Sequence, residues 1–500
     1  MRIFIYITLL FSTLVISQDP TLPTINLTEL KASPIAHGFG RYASGGRGGT
    51  VYKVTNTNAS GSGSFKQGYD VESGARTIIF EVGGNIDYET VMFAENGDVT
   101  IAGQSAPGDG VAVYSTTGGN ELRTGNTIWR HLRFRGTAGA RSQLRIYANA
   151  VDNVNNFIDH CSFSWADPTE MNIEISGKDT NESYNTTVQY SILGEVDRNI
   201  LIFKDGHSVS LLRNMFALSN QRSPRYNYPD SIPTSLIGFE SINNIMHGHV
   251  SPPISPSLGA RFTALNNILT DSDGVTPTFN EMIRGESDGT GTAANTYAFL
   301  DGNVNEFDPG NIQTALTSYI ETSALVATDY TSANGQLLNA TDLETDILPY
   351  LGAFWFDSKR DTHDASMVSD FVGRTGTYVT DGTLPTLASG TYPTDTDDDG
   401  MSDAFEDLHG LDKNLATDRN DTKLNWVFDG LTNVTNTAGY TNLEMYLNYL
   451  AKDFDMMIAG IEVPDGSWTL TASTSINPKK FRIGTTITPY FYLGTTKYKL

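Results

Sequence analysis

Residues 156–170 read NFIDHCSFSWADPTE, an alternating apolar run that ends in a polar cluster. Phe157, Cys161, Phe163 and Trp165 fall on one side of an extended chain and only Asp159 breaks the alternation, so the run predicts a strand with one face in a core. Asp167 and Glu170 sit just past its end, at a lip a ligand can reach. Similar short stretches recur on both sides: TVYKVTN, ARTIIFEV, DVTIAGQ and NTIWRHLRF before it, NTTVQYSIL, HSVSLLRNMF, ESINNIMH and RFTALNNIL after it. Aligned on His131, His160, Tyr190, Asn214, Asn244 and Asn267, they repeat at intervals of 29, 30, 24, 30 and 23 residues. No amphipathic helix intervenes, so the pattern predicts an all-β solenoid in which each coil covers the apolar face of the next. A sandwich does not keep such a register, and a doubly wound sheet needs helices between its strands. Asn214, Asn243, Asn244, Asn266 and Asn267 are expected to ladder their amides along the axis.

The composition agrees with a fold of strands and turns: 47 glycines and 19 prolines in 500 residues, with only 18% charged. Acids outnumber bases, 57 Asp plus Glu against 33 Lys plus Arg, for a net charge of −24. That balance argues against nucleic acid or an anionic membrane surface as partner, because phosphate binding needs clustered basic charge. Met1-Arg2, the apolar run to Ile16 and Ser17-Gln18 read as a signal peptide over residues 1–17. No later run is long enough to span a membrane, so a secreted, soluble monomer is expected. The single cysteine, Cys161, permits no internal disulfide and reads as a small buried hydrophobe. Asn-x-Ser/Thr triplets at Asn26, Asn58, Asn181, Asn185, Asn339, Asn420 and Asn433 are surface-loop and glycosylation hints.

Outside the repeats, Gly38–Gly49 (GFGRYASGGRGG) demands a turn or a close backbone approach, and lacks the Gly-Lys-Ser/Thr of a phosphate loop. The solenoid and its outer loops are assigned to residues 18–385, a linker with a calcium loop and helix to 386–454, and a β-rich tail to 455–500. In DTDDDGMSDAFE, Asp395, Asp397, Asp399, Asp403 and Glu406 occupy positions 1, 3, 5, 9 and 12 of a calcium-binding wrap. Gly400 supplies the sharp turn at position 6 and Met401 a backbone carbonyl at position 7. The apolar stripe of YTNLEMYLNYL, Leu443, Tyr446, Leu447 and Leu450, predicts a helix docked beside this loop.

TIIFEVGGNI, VTIAGQSAPGDGV, IWRHLRFRG, FIDHCSFSW and NMFALSNQRSPR, followed by the calcium loop and GYTNLEMYLN, resemble pectate lyase-like proteins of polysaccharide lyase family 1. The loop itself is similar to EF-hand and thrombospondin-type-3 calcium loops. The resemblance implies a right-handed parallel β-helix that cleaves a uronate-containing, anionic polysaccharide by β-elimination, usually with Ca²⁺. Removing the C5 proton of a uronate builds negative charge beside a carboxylate, so such a site needs cations and a nearby base. By the family's Arg-x-Pro motif, Arg222 in QRSPR is the implied base and Arg225 a clamp on substrate carboxylate. Arginine acts as a base only if a cationic, desolvated site depresses its pKa. The family's intervening basic residue matches Arg198 or Lys204. Asp167 and Glu170 match its acidic pair for Ca²⁺, and Asp159-His160 a dipeptide that organises the coil. Its upstream aspartate falls near Ser142 or Gln143, where RSQLR holds no acid. Arg141, Arg145 and Arg198 are therefore candidates to bind carboxylate in place of metal. The alternative readings are a catalytically inactive β-helix that binds glycan, and a hydrolase using Asp167 and Glu170 as paired carboxylates.

Overall fold

The computed structural model describes residues 24–136, 141–203, 205–227, 237–257, 260–286, 297–314, 319–320, 337–356, 359–422, 424, 426–428, 432–458, 490–493 and 496–499. The expected signal peptide, Lys204 and most of the tail lie outside them; within 455–500 two short strands, Tyr490–Leu493 and Thr496–Lys499, pair antiparallel. The chain coils as a right-handed parallel β-helix. Successive turns build an eleven-stranded first sheet, a nine-stranded second sheet and a seven-stranded third sheet among the described residues. One coil runs Asn153–Asp159, Ser162–Ser164 and Ile173–Gly177 through the three sheets in turn.

Residues 156–165 are therefore not one strand. The chain turns at His160, whose φ of +50° resets the alternation between one sheet and the next. Ile158, Cys161 and Phe163 enter the core, whereas Phe157 faces outward onto Ile128, Ala32, Ala36 and Ala43. Burial pushes the Cys161 thiol up to about 12, which leaves it an inert core group.

The coil register also differs by one residue from the expected alignment. His131, His160, Tyr190, Arg213, Asn243 and Asn266 all occupy the left-handed corner, so Arg213 takes the place assigned to Asn214. Ring centroids stack 5.0 Å apart from His131 to His160 and 4.9 Å from His160 to Tyr190, and the Arg213 guanidinium lies 5.7 Å from the Tyr190 ring. The asparagine ladder runs one residue later. The Nδ2 of Asn214 donates to Oδ1 of Asn244 at 3.1 Å, Asn244 to Asn267 at 3.1 Å, and Asn267 to Asn303 at 2.8 Å. Each amide also donates to a buried main-chain carbonyl, so the ladder's own side chains are satisfied.

Four outer segments cover the solenoid among the described residues. The glycine-rich leader crosses the first sheet in backbone contact: a Cβ on Gly40 would lie 2.1 Å from the Asn156 carbonyl oxygen, and one on Gly46 1.9 Å from that of Arg76. The helix Thr362–Gly373 packs on the second sheet through buried ion pairs, with Arg135 Nη2 2.9 Å from both Asp361 and Asp364. Nothing in the sequence pattern marked this helix. The segment read as a linker is laid along the coils: Asn85 donates to the Pro385 carbonyl at 2.8 Å, and the Ala388 N–H to Asp109 at 2.8 Å. The predicted C-terminal helix forms as Asn442–Leu450, capped by a Thr441–Glu444 box. It is held to the first sheet by Arg130, whose Nη1 donates to Asn448 at 3.1 Å; the same guanidinium pairs with Asp159 at 2.7 Å and with Asp453 of the following helix at 2.6 Å.

Candidate active site

The entry to the third sheet brings successive coils into one column. The N–H of Gln143 donates to the Met171 carbonyl, that of Asn172 to Arg198, and Arg198 bridges Gln221. Ser142, Glu170, Arg198 and Arg222 thus line one edge over successive coils about 4.8 Å apart. Arg222 has a φ of +65° and its Nη1 lies 3.6 Å from the Met171 sulfur. Its Nε is buried without a hydrogen-bond partner, and no carboxylate among the described residues pairs with its guanidinium. Burial, then the charges of Arg198 and Arg225, draw its pKa down to about 10. Beneath it, Ser223 Oγ and His249 Nε2 are 3.0 Å apart, and burial holds that imidazole at about 3.

The other expected basic residues are partnered. Arg225 pairs with Glu286 at 2.7 Å, and Arg198 with Asp197 at 3.1 Å while donating to the Thr169 carbonyl at 2.7 Å. Arg145 sits one row along the sheet face, in register between Glu121 and Glu174, and bonds them at 3.2 and 3.0 Å. Its guanidinium also covers Tyr147 at 3.9 Å. Arg145, Glu121 and Glu174, together with Arg141, Ser142 and Glu170, line an open cavity of about 260 Å³.

Asp167 and Glu170 do not converge on an ion site. Asp167 Oδ1 accepts from Thr169 N–H at 2.9 Å and Thr169 Oγ1 at 2.7 Å, capping its own turn. Glu170 accepts from Ser142 Oγ at 3.0 Å, where an upstream acid was sought. No third acid joins them in a metal-sized group among the described residues. Two carboxylates fall short of the six to eight oxygens Ca²⁺ takes, so the groove residues by themselves do not fit that ion.

The calcium-type loop lies elsewhere, against the first sheet. Lys53 Nζ reaches Asp395 at 2.9 Å and Asp398 at 2.8 Å, and Gly400 turns with φ +97° against Val51 and Ile79. Asp403 faces Thr396, accepting from its N–H at 2.8 Å and its Oγ1 at 2.7 Å, and belongs to neither acidic group of the loop. Met401 has its side chain in the core beside the loop. Asp395, Asp397 and Asp399 form one group with oxygens within 4.8 Å; Asp399, Glu406 and Asp418 form another. Burial, then neighbouring acids, raises Glu406 to about 8; Asp399 stands at about 7 for the same reasons, against a hydrogen bond from the Met401 N–H. Asp418 was not read from the sequence. It lies outside the twelve-residue wrap, and DKNLATDRND has no ligand spacing that singles it out.

Comparison with known proteins places these features in a family. The chain is 30% identical over 441 residues to the probable pectate lyase C of Neosartorya fischeri, covering 85% of this chain and 94% of that protein. The chain belongs to the pectate lyase family. Against the probable pectate lyase C of Aspergillus oryzae the identity is 28% over 439 residues, with the same coverage. A mutant pectate lyase of Bacillus subtilis aligns with a TM-score of 0.45 at 12% identity, over 66% of this chain and 99% of that one. No family model matches the chain. As a member of the pectate lyase family the protein is a polysaccharide lyase, and its fold is the expected solenoid.

Proposed function

We propose that this lyase is secreted and cleaves a pectate-like uronan by β-elimination at the third-sheet edge, with Arg222 as the base. The observation that carries the assignment is the Arg222 guanidinium: partly buried, facing two other arginines, and without a carboxylate partner among the described residues. The neutral guanidine takes the C5 proton of a uronate; the electron pair forms the C4–C5 double bond as the C4–O bond to the preceding sugar breaks. The chain then ends in an unsaturated uronate, and the leaving oxygen takes up a proton. Arg198 and Arg225 stand beside the base to bind carboxylate as its charge rises; Lys204, outside the described residues, remains a candidate from its motif. Arg145 orders the adjoining sheet face with Glu121 and Glu174, and touches substrate through the cavity. Asp167 and Glu170 offer too few oxygens for a groove ion of their own. Ca²⁺ is assigned to the loop, with Asp395, Asp397, Asp399, the Met401 carbonyl and Glu406 as its ligands; Asp403 braces the wrap through Thr396.

The test is ultraviolet absorbance of the unsaturated product during incubation with polygalacturonate. Below about pH 10 the neutral fraction of Arg222 grows tenfold per pH unit, so kcat/KM is expected to climb with pH toward about 10. No absorbance on any uronan, with or without Ca²⁺, refutes the reading.

A further inference from the structure

From the acidic group beside the first sheet we infer that Asp399, Glu406 and Asp418 hold one divalent cation, Ca²⁺ by chemistry, that staples the C-terminal layer to the solenoid and takes no part in the groove. The inference rests on the reading of the loop as a calcium loop, and changes it: the ion joins two segments instead of filling one wrap. All three acids are at least nine-tenths buried, with relative exposures of 0%, 0% and 9%. Both carboxylate oxygens of Glu406, Oδ2 of Asp399 and Oδ1 of Asp418 are buried without a hydrogen-bond partner. Three acids with oxygens within 4.8 Å and no basic group bonded to those atoms leave a concentration of buried negative charge that the fold itself does not neutralise. The donors are all oxygen, with no histidine or thiol in the group, which selects a hard cation; the irregular carboxylate cage suits Ca²⁺ better than the strict octahedron of Mg²⁺.

The surroundings identify what the ion holds. The loop side is fixed to the first coils by Lys53 and by the packing of Gly400 on Val51 and Ile79. The Asp418 side is fixed to the last helices: the Asp418 carbonyl accepts from Asn442 Nδ2 at 2.8 Å, and the Asn442 N–H donates to the Asp421 carbonyl at 2.8 Å. That helix in turn accepts from Arg130 through Asn448 at 3.1 Å. A cation between Asp399, Glu406 and Asp418 therefore closes a ring of contacts through loop, turn, helix and coil.

The experiment uses the full chain and CaCl2 itself as probe, reading thermal unfolding and, separately, lyase turnover at 20 °C. Removing Ca²⁺ with EDTA is expected to lower Tm by on the order of 5 °C, and CaCl2 to restore it. Asp418→Asn and Glu406→Gln lose that Ca²⁺-dependent shift, whereas Asp407→Asn, an exposed acid paired with Lys413, retains it. Calorimetric titration of the Asp418→Asn protein below its Tm keeps the test decisive if that variant is less stable: Ca²⁺ affinity falls at least about tenfold. A wild-type Tm indifferent to EDTA and Ca²⁺, or an Asp418→Asn protein with the full shift and affinity, overturns the staple. Turnover abolished by EDTA with Tm unchanged also overturns it and puts the ion in the groove; turnover absent on every uronan while the Tm shift persists overturns the lyase reading alone.

Discussion

Two corners of the same solenoid treat polar groups in opposite ways. At the turn between the first and second sheets, Asn214, Asn244, Asn267 and Asn303 pass hydrogen bonds from coil to coil and still satisfy main-chain carbonyls. At the entry to the third sheet, equivalent coils present Ser142, Glu170, Arg198 and Arg222, and the Arg222 Nε is left buried and unpaired. The asparagine ladder spends its amides on the fold. The second corner withholds one guanidinium from any carboxylate at a cost in stability, which is the arrangement expected where a group is kept for substrate.

The comparison breaks most sharply at Arg222. Arg222→Ala is expected to cut kcat on polygalacturonate by about a thousandfold, or ~4 kcal/mol in the barrier, while Tm stays the same or rises slightly because a buried like-charge contact is relieved. A fall in activity matched by a fall in Tm would make Arg222 a structural residue. The opposite corner should invert that pattern. Asn244→Ala removes donors to the Leu211 carbonyl and to Asn267, and the acceptor used by Asn214. With buried groups left unpaired, unfolding in urea is expected to become easier by about 3 kcal/mol, with kcat at 20 °C within about twofold of wild type.

The same contrast explains what the sequence disclosed. The coil repeat was legible because each coil buries apolar residues at a recurring offset, and the asparagines could be recognised as a ladder. The alignment nevertheless slipped at Arg213, because the corner is defined by a left-handed backbone that His, Tyr, Arg and Asn all adopt here. Alternation alone cannot reveal such a corner, and for the same reason 156–165 read as one strand. At the groove, the motif singles out Arg222, but the neighbours that set its environment, Met171, Arg198 and Glu286, come from different coils. The long-range partners were least legible. Asp418 meets Glu406 only after two turns fold back, and the acids of the helix Thr362–Gly373 meet Arg135 from 226 and 229 residues away.

Acid sharpens the comparison by a smaller margin, because the ladder asparagines carry amides, which do not titrate, and the groove edge rests on His249. Burial holds the folded imidazole at about 3, against about 6.5 in the unfolded chain. Between those values the unfolded chain binds a proton that the native protein does not, so stability is fully present above about pH 6.5 and falls as pH drops through that value and on toward 3. From pH 6.5 to 5.5 this one group is expected to remove about 1 kcal/mol. Other buried neutral histidines, such as His363, act with the same sign, so the wild-type loss is larger than this share. The share of His249 is isolated by measuring urea unfolding of wild type and His249→Gln at both pH values: the variant should lose about 1 kcal/mol less. Gln can still bond Ser223, so a difference marks the proton and not the missing contact. Equal losses in the two proteins would mean that the imidazole binds its proton as readily in the native protein as in the unfolded chain, and that burial does not hold it neutral.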